Sequence, residues 1–242
     1  GGDTDSERLL FGMHLLTASI ISAPAAIVAA KMLFPEPDLS KVNKNLDVPK
    51  SVAGSNLLDA LARGTTDGVK LAVNVGAMLL AFMAFIYLAN IVFFNIGEIP
   101  MGDSCLNQMV IDGHDGLFKD GFSLQLIMGY LFAPVAWIIG VSGQDILAMG
   151  QMLGEKTILN EFVSYASLMD FKNSGAISDK TIIIATYALC GFANFASIGI
   201  QIGGIGSLAP GQRKTLSELG VKALIGGTVA CLLTACIAGF MA

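Results

Sequence analysis

Uncharged apolar runs alternate along this chain with short charged connectors, and four of the runs reach bilayer length, for which roughly 20 apolar residues suffice. They are Leu9 to Ala30, Leu71 to Gly97, Thr181 to Gln212 and Ala223 to Ala242. With their flanks they predict membrane helices over 9–34, 69–97, 181–208 and 215–242. Each is rich in Gly, Ala, Ser or Thr, residues that let helix backbones approach closely in lipid. Pro24 need not break the first helix, because neighbouring helices and hydroxyls can satisfy the carbonyl it frees.

The connectors set the orientation. Lys31 to Lys70 holds six Lys or Arg, and the connector with Arg213, Lys214 and Lys222 is basic too, whereas Ile96 to Gly121 has Lys119 against five acids. By the positive-inside bias the first two are cytoplasmic and the third lies outside. Everything between Gly121 and Thr181 must then begin and end on the outer side. Two short apolar pieces, Ile146 to Leu153 and Ile158 to Leu168, flank a polar tip at Gly154-Glu155-Lys156-Thr157. This predicts a re-entrant hairpin over 145–170, a form tolerated where protein or a watery cavity covers its backbone. Phe122 to Val141, interrupted by Pro134, is expected to lie along the membrane interface with Tyr130 and Trp137 at headgroup level. Ser51 to Gly68, with Leu57, Leu58 and Leu61 on one face, predicts a second, cytoplasmic interfacial helix over 51–68.

Composition agrees with lipid as the main solvent. Mean hydropathy is +0.68 and only 14% of residues are charged, far from the usual globular mix. The fold class expected is all-α, a polytopic membrane protein with about four spanning helices, one re-entrant hairpin and interfacial helices. A net charge of −5 gives no basic footprint, so nucleic acid is excluded as a partner. Cys105, Cys190, Cys231 and Cys236 show no metal-binding spacing and read as packing residues. The chain opens on Gly1-Gly2-Asp3, without Met or signal peptide, and is expected to be a fragment or a product cut from a longer precursor.

The polar exceptions carry the chemistry. Thirty-two residues, Thr181 to Gln212, are free of charge, yet they contain Asn194, Ser197 and a glycine-dense stretch from Gly199 to Gly206. The helical pattern is expected to fail near Asn194, with the glycines loosening the backbone and a turn after Gly206. Glu161 stands in the second half of the hairpin. Carboxylates and carboxamides at membrane depth persist mainly where they face a cavity or a substrate path. An ionised carboxylate accepts hydrogen bonds only, which suits a ligand presenting hydroxyls or ring N–H groups. A discontinuous helix facing a hairpin tip is how many secondary transporters build a midplane site. Against this, Glu161 could pair with Lys156, Asn194 could be interhelical glue and Ser197 could bond its own helix. Gly204, Gly206 and Ala209 only spell a dinucleotide motif, and Gly154-Glu155-Lys156-Thr157 is not a phosphate loop. His14 and His114 have no partner at ligand spacing; His14 reads as a helix-end histidine near Arg8, with a protonatable relay in the first helix as the alternative. Two other classes stay open at this point: an intramembrane enzyme using Glu161 as acid or base, and a passive channel.

Two long segments then narrow the choice. Gly154-Glu155-Lys156-Thr157-Ile158-Leu159-Asn160-Glu161-Phe162-Val163-Ser164-Tyr165, followed by Ala185 to Ile200 with its Gly191-Phe192-Ala193-Asn194 core, resembles the second hairpin and seventh membrane helix of the concentrative nucleoside transporters. The resemblance extends over Thr215 to Gly239 and back over Leu15 to Pro35, while Ile96 to Asp120 matches nothing familiar. It implies that residues 1–242 are the C-terminal portion, from the fifth membrane helix onward, of a cation-coupled nucleoside symporter. Such a protein is a homotrimer in the cell (inner or plasma) membrane, driven by Na+ or H+. The resemblance further implies that Glu161, Asn194 and Ser197 bind the ribose and that Phe192 lines the pocket. No cofactor is implied, and the coupling cation's site is expected in the N-terminal part that this sequence lacks.

Overall fold

The computed structural model describes residues 5–35, 56–102, 104–114, 117–208 and 210–242. Helix α1, Asp5–Leu33, carries Pro24 without interruption. Helix α2 spans Leu57–Gly97 and opens on Asn56, whose side chain accepts the Asp59 N–H. A two-residue antiparallel pair, β1 (Pro100–Met101) and β2 (Ser104–Cys105), leads into α3, Leu106–Gly113. Then follow α4 (Leu124–Ile138), α5 (Ile146–Ile158), α6 (Glu161–Ser174), α7 (Asp179–Leu189), α8 (Phe195–Leu208), one turn of 3-10 helix at Pro210–Gln212, and α9 (Arg213–Met241).

Two expectations are corrected here. First, the separate helices over 51–68 and 69–97 are one: from Leu57 the chain runs unbroken for 41 residues, about 60 Å at 1.5 Å per residue. Gly64 and Gly68 lower helix propensity but meet no atom that would force a bend, and residues 51–55 lie outside the described residues. Second, Gly154-Glu155-Lys156-Thr157 is not the hairpin tip but the last part of α5, with Glu155 and Lys156 buried. The chain turns two residues later, at Leu159-Asn160, where Asn160 Oδ1 accepts the Val163 N–H and starts α6. An Asn cap fixes a turn more firmly than polarity alone does. The helical pattern fails where the sequence places it, at Cys190 to Asn194, and α8 ends at Leu208 shortly after Gly206, although the glycines Gly199 to Gly206 themselves lie inside α8.

Among the described residues two helices are long and apolar enough to cross a membrane by length and composition, Arg8–Leu33 and Arg213–Met241. The 32-residue uncharged run is instead divided between α7 and α8.

The core gathers where α4, α5, α7 and α9 meet, around Ala136, Met149, Met152, Ile184, Leu189 and Ala235. Small residues let these helices close up, as expected in lipid. Gly150 and Gly154, one turn apart on α5, face α4: a Cβ at Gly150 would collide with the Gly129 carbonyl oxygen, and one at Gly154 would sit 2.5 Å from Met128 Cβ. On α9, Gly239 admits Ile184 of α7 and Gly220 admits Ile198 of α8. Helix α4 is one-sided, burying Met128, Gly129 and Ala136 while Leu131, Trp137 and Ile138 stay exposed. Much of α1 and α2 likewise presents large apolar side chains outward, Leu16, Ile20, Phe85 and Tyr87 among them.

The unassigned stretch before α4 has its own anchor. Buried Asn107 donates to the Phe94 carbonyl and to Glu98 Oε1, each at 3.1 Å, and accepts the Phe122 N–H at 3.0 Å. A second anchor holds the hairpin's base. Asp145 Oδ2 accepts the Ser178 N–H (3.0 Å), the Ser178 hydroxyl (2.6 Å) and the Thr181 hydroxyl (2.6 Å), tying the start of α5 to the start of α7. Burial pushes the Asp145 carboxyl up, but these donors outweigh it and hold it below the usual carboxylate range.

Candidate functional site

A helix interrupted inside a protein leaves carbonyls at one end and N–H groups at the other without ladder partners, and at membrane depth each unsatisfied group costs several kcal/mol. The hairpin supplies much of what the first end needs. Lys156 Nζ donates to the Ala188 carbonyl at 2.7 Å, and the Tyr165 hydroxyl donates to the Thr186 carbonyl at 2.9 Å. The Tyr187 carbonyl takes the Cys190 N–H at 3.3 Å. A cation at the carbonyl end of a helix is also favoured by the helix dipole, which helps explain a lysine that is only 2% exposed.

The second end is closed by its own residues. Asn194 Oδ1 accepts the Ser197 N–H at 2.7 Å, the Ser197 hydroxyl donates to the Asn194 carbonyl at 2.6 Å, and Ser197 Oγ accepts the Asn194 N–H at 3.2 Å. This reciprocal arrangement is an N-cap for α8. Gly191, in the gap itself, is required by space: a Cβ there would strike Cys231 Sγ on α9.

The remaining valence of Asn194 crosses to the hairpin. Its Nδ2 donates to Glu161 Oε2 at 3.0 Å, across 33 residues of sequence. Three of the four expected site residues are therefore one connected group: Glu161, half-buried in the first turn of α6, Asn194, fully buried, and Ser197 behind it. Glu161 is the member with exposed surface. Phe192, 49% exposed, stands apart from that bond. Together with Ser197 it lines a mainly apolar groove of about 310 Å³ between α8 and α9, bordered by Gln201, Leu216 and Leu224, into which neither Glu161 nor Asn194 opens. The structure thus joins Glu161 to Asn194 and puts Phe192 on a neighbouring surface.

Sequence reasoning missed Lys156 and Tyr165 as partners of the break. A lysine inside the hairpin is the available signal, since an unpaired ammonium at that depth is costly. His14, read as a helix-end residue, sits well inside α1 with Nδ1 at 3.2 Å from the Tyr187 hydroxyl. No group of three or more His, Cys, Asp or Glu gathers as a metal site among the described residues.

Comparison with known proteins bears on this geometry. Residues 14–239 match the family model described as Na+ dependent nucleoside transporter C-terminus. The chain is 40% identical over 228 residues to the uncharacterized transporter YutK of Bacillus subtilis, covering 93% of this chain and 52% of that protein. It is 38% identical to human solute carrier family 28 member 3, covering 94% of this chain and 33% of that protein. Among solved structures, it resembles the transporter CNTnw in an inward-facing substrate-bound state, with TM-score 0.70, 35% identity, and 93% of this chain and 50% of that one covered. A doubly substituted form of CNTnw in an outward-facing state gives TM-score 0.75 at 34% identity, covering 93% of this chain and 50% of that one. The chain spans about a third to a half of the length of these proteins.

Proposed function

The chain belongs to the Na+-dependent nucleoside transporter family, and from that premise we propose that the full-length protein is a cation-coupled nucleoside symporter, driven by Na+ or H+, to which this chain contributes the ribose-binding half of the site. The observation that carries the reading is the Asn194–Glu161 hydrogen bond, which brings a hairpin carboxylate to a broken helix. That is the juxtaposition a midplane substrate site needs. Glu161, which accepts but cannot donate when ionised, takes ribose hydroxyls; Asn194 and Ser197 orient it and close the helix end behind it; Phe192 offers an apolar face. The α5–α6 hairpin is read as re-entrant, with α2 and the α7–α8 pair completing four crossings. The coupling cation is assigned to the part of the protein that this chain does not cover, and the assembly to a homotrimer in the cell membrane.

Counter-flow of labelled uridine by the full-length protein in liposomes tests the activity, because a passive channel shows no trans-acceleration. Glu161→Gln keeps shape but exchanges a charged acceptor for a neutral amide, with an expected loss of about 1.5–3 kcal/mol, or roughly ten- to a hundred-fold in nucleoside affinity. A 2′,3′-dideoxy nucleoside, lacking the diol, should lose much less. Equal weakening of both ligands would remove the ribose assignment.

A further inference from the structure

Glu155 has no part in the site just described, and its surroundings are unusual for an acid. It lies in the last turns of α5, 3% exposed. Oε1 accepts the Gln151 Nε2–H at 2.8 Å, whereas Oε2 is enclosed and has no hydrogen-bond partner. The Ser167 hydroxyl of α6 is near the carboxyl but makes no bond to Oε2.

Among the described residues no cation faces it. Its neighbour Lys156 is committed to the Ala188 carbonyl. Helix α4 brings only Tyr130, bonded to His114. On α6, Glu161 is bonded to Asn194 and Tyr165 to the Thr186 carbonyl, while Asp170 and Lys172 are exposed. On α7, Asp179 and Lys180 are exposed and Tyr187 meets His14. Helix α8 has no titratable residue. Because Oε2 is closed off by atoms of this chain, parts of the protein outside it cannot reach the oxygen while the hairpin is packed. An ionised carboxylate so placed would carry an uncompensated burial cost that neutralisation removes.

We propose that Glu155 is a proton-binding site, held as the neutral carboxylic acid within the packed α4–α5–α6 unit and releasing its proton when that packing opens. The step adds or removes one proton at Oε2 and nothing else. As part of transport this rests on the symporter reading, and there it supplies a proton site separate from the ribose carboxylate; as a chemical state it stands without it.

Infrared difference spectroscopy on the full-length protein reads that state. Wild type near pH 7 should show a protonated-carboxyl C=O band that moves in D2O and disappears in both Glu155→Gln and the apolar Glu155→Leu. The folded state also holds a proton that the unfolded chain gives up above about pH 4.3, the ordinary glutamate value, so the thermal midpoint should fall as pH rises from about 5 to 8, and Glu155→Gln should lose that slope. A wild-type protein without the band, or one whose band survives in both variants, overturns the proposal, and the wild-type spectrum decides even where a variant fails to fold. Absent uridine counter-flow in wild type would count against the symporter reading alone, since the band is measured without substrate.

Discussion

Asp145→Ala removes the single acceptor that joins the base of the hairpin to α7, and the size of the effect can be worked from its three donors. All three reach Oδ2, at 3.0, 2.6 and 2.6 Å. Hydrogen bonds to a charged group are worth about 1.5–3 kcal/mol each, but they do not add here. Ser178 Oγ lies 3.1 Å from Thr181 Oγ1, so the two hydroxyls partly satisfy each other once the carboxylate is gone. A net loss of about 2–4 kcal/mol is expected, against about 1–2 for Asp145→Asn, which retains a neutral acceptor. The pH dependence is the sharper signature. Because the folded state holds the carboxylate below its ordinary value, its contribution is complete above about pH 4 and is lost as pH falls through the lowered folded value. Thermal unfolding of the detergent-solubilised full-length protein, wild type beside Asp145→Asn, measures both. The advantage of wild type should be full near pH 7 and shrink below about pH 4. Wild-type stability in Asp145→Ala, or an advantage that persists undiminished at acid pH, would refute the reasoning.

Two further outcomes follow from the packing. Asn107→Ala strips the Phe94 carbonyl, Glu98 and the Phe122 N–H of a buried partner and should cost about 2–3 kcal/mol, read as a lowered thermal midpoint. Gly150→Val drives a side chain into the Gly129 carbonyl and should cost about 1–3 kcal/mol by overpacking, with uridine counter-flow falling alongside, while Gly199→Ala, in open space inside α8, should leave counter-flow unchanged and raise stability by up to about 1 kcal/mol.

What can be seen in the sequence is governed by what lipid makes expensive. Long uncharged runs locate α1 and α9, and a lone carboxylate and carboxamide at membrane depth single out Glu161 and Asn194, which the structure joins at 3.0 Å. Element boundaries are less legible. The charged connector up to Lys70 suggests a helix end, yet α2 runs straight through it, because charge on an exposed helix face is cheap and does not stop a helix. The tip is easily misplaced because Glu155 and Lys156 look like turn residues in one dimension. Their burial depends on partners at 188 on α7 and, one turn back, at 151, and no local pattern encodes the former. Ile96 to Asp120 is silent for a similar reason: its order rests on Asn107, a single residue reaching two separate segments.

The break shows the same logic most plainly. Glycine loosens a helix by about 1 kcal/mol per residue, whereas opening one at membrane depth exposes several backbone groups at several kcal/mol each. The second term is larger, so the interruption belongs where donors and acceptors are available and not where the backbone is softest. Lys156 and Tyr165 reach the carbonyls of Ala188 and Thr186, and Asn194 with Ser197 closes the following helix. The glycines from Gly199 onward remain helical. Glu161 is drawn to the same point because the N–H end of α8 carries partial positive charge and Asn194 has one donor left to give. The groups that make the break tolerable are thus the groups that assemble the candidate site, which is why the hairpin and the broken helix meet at these residues.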